Sequence, residues 1–180
     1  MKPKLTIGLS ILISLLLLAF GLVYGSVSGY ADERAHVNAL LEGESGLLTV
    51  INYRASDALN LCVVADRHIA GDTDVASLRA AAKALRETEP SLAAEKVKDD
   101  ALTSAFGAVA AKLQASQSFA QSARDRQYLE MLSADFAQYA QNAIYATYNK
   151  AATDYNQKLT VPVLGDLARF FGVKPCELFR

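Results

Sequence analysis

Hydrophobic and polar positions along this chain fall into two regimes. Residues 5–31 carry no charge at all, and residues 5–25 are almost unbroken apolar sequence, including Leu15, Leu16, Leu17 and Leu18. A helix rises about 1.5 Å per residue, so roughly 20 such residues cross a hydrocarbon core of about 30 Å. The pattern predicts a membrane helix over residues 5–25. Gly8 and Gly21 are compatible with such a helix, and Tyr24 and Tyr30 suit the lipid–water boundary at its far end. Beyond residue 31 the apolar residues recur at alternating spacings of three and four, the signature of amphipathic helices.

Residues 32–41 read as a continuation of the first helix, and Glu42-Gly43-Glu44-Ser45-Gly46 as a break. A helix is predicted over residues 47–70, with Leu48, Ile51, Ala55, Ala58 or Leu59, Cys62, Ala65 and Ile69 on one face. Asn52, Arg54 and Asn60 fall outside that stripe. Gly71 is a natural stop in the left-handed conformation. Asp74 or Thr73 is expected to cap a short helix over residues 75–87, with Val75, Leu78, Ala82 and Leu85 inward. Pro90-Ser91 marks a boundary. The next helix, residues 91–115, has Leu92, Val97, Leu102, Phe106, Val109 and Leu113 as core candidates, and Gly107 as a close-packing point or a weak spot. Residues 114–122 are polar and read as a turn. A last long helix is expected over residues 123–159, with a stripe of Ala137, Ala140, Ile144, Tyr148, Ala151, Tyr155 and Leu159. Pro162 ends it, residues 165–171 form one amphipathic turn, and the rest is tail.

No strand-like alternation of any length occurs. The fold class is all-α: an N-terminal transmembrane helix followed by an antiparallel up-down bundle of about four helices. The division is residues 1–31 as membrane anchor and residues 32–180 as the helical domain. Abundant alanine supports the same reading, since alanine has the best intrinsic helix propensity.

Charge adds direction. Lys2 and Lys4 flank the apolar run, and positive charge stays cytoplasmic, so the domain is expected outside, at the inner membrane of the cell in a single-pass topology. A cleaved signal peptide, ending at Gly29-Tyr30-Ala31, is the competing reading; its apolar region usually spans only about 7–15 residues. Without Lys2 and Lys4, sixteen basic residues face nineteen acidic ones, a net charge of −3. That argues against nucleic acid as a partner. Cys62 and Cys176 are the only cysteines. In an exported domain they either pair or stay as small buried hydrophobes.

In the last helix Asn142, Asn149 and Asn156 recur every seven residues, and Tyr148 and Tyr155 precede the last two. Seven residues are two helical turns, so each residue type lines up along the axis. The tyrosines would bury their rings and reach a partner with their hydroxyls. The asparagines would hydrogen-bond across a helix interface and set its register. On these residues the chain resembles the LemA family, whose last long helix carries Tyr-Asn, five residues, Tyr-Asn, here Tyr148-Asn149 and Tyr155-Asn156. Pro162 and Phe171-Gly172-Val173 match the proline and the Phe-Gly tail that lie downstream of that helix in the family. Arg54, Asn60 and Leu61 fit its early helix, where Ser56 and Leu59 replace an Asp and a Pro. The resemblance implies a bacterial, membrane-anchored helical-bundle protein of the cell envelope. Its motif residues, Arg54, Asn60, Tyr148, Asn149, Tyr155 and Asn156, serve interaction or packing.

Candidate chemistry is sparse. His36 and His68 are the only histidines, and neither has a second ligand at helical spacing for a metal. Asp72-Thr73-Asp74 lacks the rest of a calcium loop and reads as helix capping. Lys98-Asp99-Asp100 reads as a solvated face. No Gly-x-Ser-x-Gly elbow, phosphate loop or triad stands out. The expectation is a non-enzymatic scaffold or interaction module without catalytic residues, metal or cofactor. Its partners would be the bilayer, through residues 5–25, and an envelope protein, with homo-oligomers open. The alternative is an exported sensor or ligand-binding domain acting through a partner protein.

Overall fold

A computed structural model of the chain describes residues 3–87 and 91–180, with side chains from Ile7 onward. Lys2, the side chain of Lys4 and the boundary at Pro90 lie outside the described residues. The protein is all-helical, with no strand among the described residues. Its helices are α1 (Pro3–Glu42), α2 (Leu47–His68), α3 (Thr73–Leu85), α4 (Leu92–Ala115), α5 (Gln117–Gln121), α6 (Ala123–Ala140), α7 (Ile144–Lys158) and α8 (Leu164–Phe170). They form two compact units: residues 1–39 with 150–176, and residues 40–149 with 177–180.

In the larger unit α2 packs against α3, α4 and α6, and α3 packs on α4. The break before α2 falls where expected. Gly46 is required there, because a Cβ on it would lie 2.7 Å from the Leu41 carbonyl oxygen. Ile51, Ala55, Ala58, Cys62 and Ala65 face inward as predicted, joined by Leu47, Val50, Leu61 and Val64. Gly71 adopts the left-handed conformation at φ 78°. The cap of α3 is Asp72, not Asp74 or Thr73: its carboxylate accepts the Asp74 N–H at 2.7 Å. Val75, Leu78, Ala82 and Leu85 are all buried. Ser91 caps α4 by accepting from Ala94 N–H. Of the α4 core candidates only Val97 points to solvent, at 69% exposure. Gly107 is not a close-packing point, since a Cβ there would meet nothing within 4 Å.

The predicted helix over residues 123–159 is two helices. α6 stops at Ala140, and Asn142 restarts the chain by accepting the Ile144 N–H on its side chain at 2.9 Å. Asparagine favours such local bonds over helix interior. The break shifts the phase of the stripe. Leu129, Leu132 and Phe136 are buried on α6, whereas Ala137 and Ala140 are exposed. Residues 114–122 hold α5 between Ser116 and Ser122.

In the smaller unit α1 is a single unbroken helix. One helix near the N-terminus is long and apolar enough to cross a membrane. Its large side chains from Ile7 to Tyr24 stand exposed. Further along, Tyr30 donates its hydroxyl to the Lys158 carbonyl at 2.8 Å and meets the Tyr155 ring edge-on. Glu33 pairs with Lys158 at 2.8 Å. Tyr155 and Leu159 are buried as predicted, with Ala152 in place of Ala151. Past Lys158 the chain turns sharply at Val163, where φ is 68° and ψ −62° and the Leu164 N–H reaches the Pro162 carbonyl at 2.9 Å. That is a γ-turn in the strained positive-φ form, unusual for a β-branched residue. Gly172, at φ 91°, ends α8 with paired bonds from Gly172 N–H to Arg169 and Val173 N–H to Ala168.

Candidate functional site

Arg54 is the most deeply buried charge in the larger unit, at 2% exposure. It does not point outward as its place beside the α2 stripe implies. One terminal nitrogen donates to Asp99 on α4, and the other to Thr103 Oγ1 at 2.7 Å. The guanidinium lies 4.4 Å over the Phe136 ring of α6, which stacks in turn on Phe106 at 4.0 Å. Asp99 is therefore buried, not part of a solvated face. Burial pushes its carboxyl above the usual range, and Arg54 pulls it back. Arg54 Nε has no hydrogen-bond partner. A cleft of ≈ 390 Å³ opens beside this group, bordered by Arg54, Lys96, Asp99, Thr103, Tyr145 and Phe179. Burial also raises Tyr145, with Asp99 adding to it and Arg54 opposing.

The Tyr-Asn repeat has a definite partner, and it is not a helix. In the larger unit the Asn149 side chain donates to the Phe179 carbonyl at 2.9 Å and accepts the Phe179 N–H at 2.8 Å. Tyr148 donates its hydroxyl to the Glu177 carbonyl at 2.7 Å. Phe179 is buried and meets the Tyr145 ring at 5.4 Å. The Glu177 carboxylate accepts the Leu92 N–H at the start of α4, at 2.7 Å. In the smaller unit Asn156 repeats the pattern on Cys176, donating to its carbonyl and accepting its N–H, both at 2.8 Å. Tyr155 donates to the Lys174 carbonyl at 3.3 Å.

Each asparagine thus treats one tail residue as a neighbouring strand would, pairing with its N–H and its C=O together. The tail residues so held are 177 and 179 in the larger unit and 174 and 176 in the smaller. Of the six motif residues, Asn149 holds Phe179, which borders the Arg54 cleft, and Tyr148 holds Glu177 two residues before it. Tyr155 and Asn156 serve the preceding tail residues. Asn60 stands exposed on α2 and does not border the Arg54 cleft.

Two clusters carry no sequence signal. His68, at the end of α2, engages Asp125 Oδ2 at 2.8 Å through Nε2 and Ser118 Oγ at 3.1 Å through Nδ1. With Nε2 protonated, the ring donates to Asp125 and accepts from Ser118, so a Ser-His-Asp chain does form, assembled from three separate helices. Asp125 is also held by Arg67 at 2.7 Å and by the Ser122 cap at 3.0 Å. The His68 bond, first, holds its carboxyl below the ordinary range. Sharing the carboxylate this way clamps the end of α2 to the start of α6. The second cluster is Asp57 on α2. Burial, and the charge of Asp135 on α6, push its carboxyl from 3.8 up to about 6, and its Oδ2 has no hydrogen-bond partner.

Among the described residues no group of three or more His, Cys, Asp or Glu side chains is placed to hold a metal ion. Both cysteines are free thiols, Cys62 buried and bonded to the Val75 carbonyl at 3.8 Å. No family model, curated protein or solved structure matches the chain.

Proposed function

We propose that this chain is a divergent LemA-like protein of the bacterial cell envelope: a single-pass, non-enzymatic anchor. It would present an antiparallel bundle of about four helices, outside the inner membrane, as a scaffold for another envelope protein. The observation that carries the reading is α1, whose large apolar side chains stand exposed from Ile7 to Tyr24 while the helix continues unbroken to Glu42. A folded chain in water hides such a surface; a bilayer accepts it. The Tyr-Asn repeat supports the family resemblance, since its residues share one purpose.

Carbonate extraction of membranes from expressing cells tests the anchor. The full chain should stay in the pellet, and release into the supernatant would count against it. Protease added outside spheroplasts should cut the helical region, and cutting only after lysis would reverse the topology. In-cell cross-linking should return a discrete, reproducible envelope partner; lipid and bulk protein alone would remove the scaffold reading.

A ligand-binding domain is the second reading, favoured by the Arg54 cleft, whose ≈ 390 Å³ lies in the range of small-molecule sites. A thermal-shift screen of small carboxylates that leaves Tm unchanged would dismiss it.

A further inference from the structure

α8 is built inside out. Its inward face is made of the smallest residues, Gly165 and Ala168. Gly165 sits so close to the end of α7 that a Cβ would fall 2.3 Å from the Leu159 carbonyl oxygen. Apart from the half-buried Leu167, the large apolar residues in and around the helix point away. Phe170 is 83% exposed and Val163 65%, and Val161, Leu164 and Phe171 are exposed with them. Phe170 and Phe171 meet only edge to face, at 5.2 Å. Single exposed apolar residues are ordinary, but a contiguous set with small residues turned inward marks a contact surface.

Position within the smaller unit says what covers it. The Ser26 hydroxyl donates to the Leu164 carbonyl at 2.8 Å. Ser26 is the residue after the predicted span, and residues 5–25 extend about 31 Å, one hydrocarbon thickness. α1 is almost wholly bare up to Gly25 and becomes partly covered from Ser26 onward. The start of α8 therefore lies level with Ser26, where the bare stretch of α1 ends, and the exposed apolar residues at that end of α8 stand beside it. Asp166 is paired with Arg169, so its one acid is neutralised, and Lys174 is exposed beyond Gly172.

We infer that residues 161–171 form a second, interfacial contact with the phospholipid bilayer, with Val163, Leu164, Phe170 and Phe171 inserted beside the exit of α1. Helices that lie in the interface bury their apolar face about 5–10 Å into the head-group and acyl boundary, and phenylalanine and leucine are common on that face. This inference rests on the reading of α1 as a membrane anchor.

The chain has no tryptophan, so one introduced residue reports alone. Full-length Phe170→Trp, Leu16→Trp and Val97→Trp would each be reconstituted into phosphatidylcholine–phosphatidylglycerol vesicles carrying nitroxide labels at the head group or deep in the acyl chain. All three positions are exposed, which leaves packing undisturbed. The expected result is blue-shifted Phe170→Trp emission quenched most by the head-group label. Leu16→Trp should be quenched by the deep label, and Val97→Trp should emit as in water. Deep quenching of Leu16→Trp with water-like, unquenched Phe170→Trp would overturn the interfacial contact and leave the anchor standing. A blue-shifted Phe170→Trp that neither label quenches would mean protein, such as a second copy, covers the face, and would also overturn it. Loss of quenching at both Leu16→Trp and Phe170→Trp would remove the anchor and this contact together.

Discussion

The Arg54 guanidinium meets a carboxylate, a hydroxyl and an aromatic face at once, with Nε left unpaired. Removing one member of a buried charge pair strands the other, at a typical cost of about 3–5 kcal/mol. Arg54→Ala should lose stability on that scale in urea unfolding, and Arg54→Ala with Asp99→Leu should recover part of it. Recovery absent from the double variant would mean that Phe136 packing, and not the charge, dominates. Asp57 gives the opposite sign. Its folded carboxyl titrates near about 6 against an ordinary 3.8, so the fold favours the protonated form. Stability from this group is then fully present below the ordinary value and is lost as pH rises through about 6. Asp57→Asn should raise Tm at neutral pH and flatten the rise in Tm otherwise seen as pH falls from about 6 to 4. Neither role could be read from the chain. Arg54 lies beside an apolar stripe at an edge that α4 and α6 happen to cover, and Asp99 sits in a charged triplet that looks solvated. Pairing partners 45 residues apart leave no local pattern.

Element by element, hydrophobic period was a better guide than boundary chemistry. The α3 core was legible residue by residue, as was the Gly71 stop. The α4 stripe failed only at Val97. The break between α6 and α7 was hidden because Asn142 fits both the heptad of asparagines and a helix restart, and its side chain settled the matter by capping Ile144. Gly107 in α4 has open space where a Cβ would go, so Gly107→Ala should stabilise by about 0.5–1 kcal/mol in chemical denaturation. A loss instead would reveal a close contact at that face. The Tyr-Asn repeat was legible as periodic and as bonding, but its partner was not, because the tail has no periodicity of its own. Asn149→Ala strips Phe179 of two backbone bonds, each worth about 0.5–1.5 kcal/mol net. It should therefore speed amide exchange at Phe179 while leaving the α3–α4 core protected.

Across the whole molecule, the charge-free start and the all-helical body were plain in the sequence. The Ser118-His68-Asp125 chain was not, since its members lie 50 and 57 residues apart in pairs. That chain offers the sharpest check on the non-enzymatic reading. Asp125 is divided between His68, Arg67 and Ser122, and the Ser118 hydroxyl is also within 3.1 Å of Ser116. A clamp of this kind should leave Ser118 inert. A fluorophosphonate probe should give no adduct on the intact protein by mass spectrometry, and a His68-dependent adduct at Ser118 would reopen acyl-transfer chemistry.

The asparagine latches hold tail backbone, not tail side chains, and that has a genetic consequence. At position 176 the bonds need only an N–H and a C=O, which nineteen of the twenty amino acids supply. Proline alone lacks the donor. The proline already in this stretch, Pro175, occupies a position whose nitrogen makes none of these bonds. In a saturation scan the profile at 176 should be shallow, with one deep dip at proline. Position 179 should show that same dip on top of a demand for an aromatic ring against Tyr145.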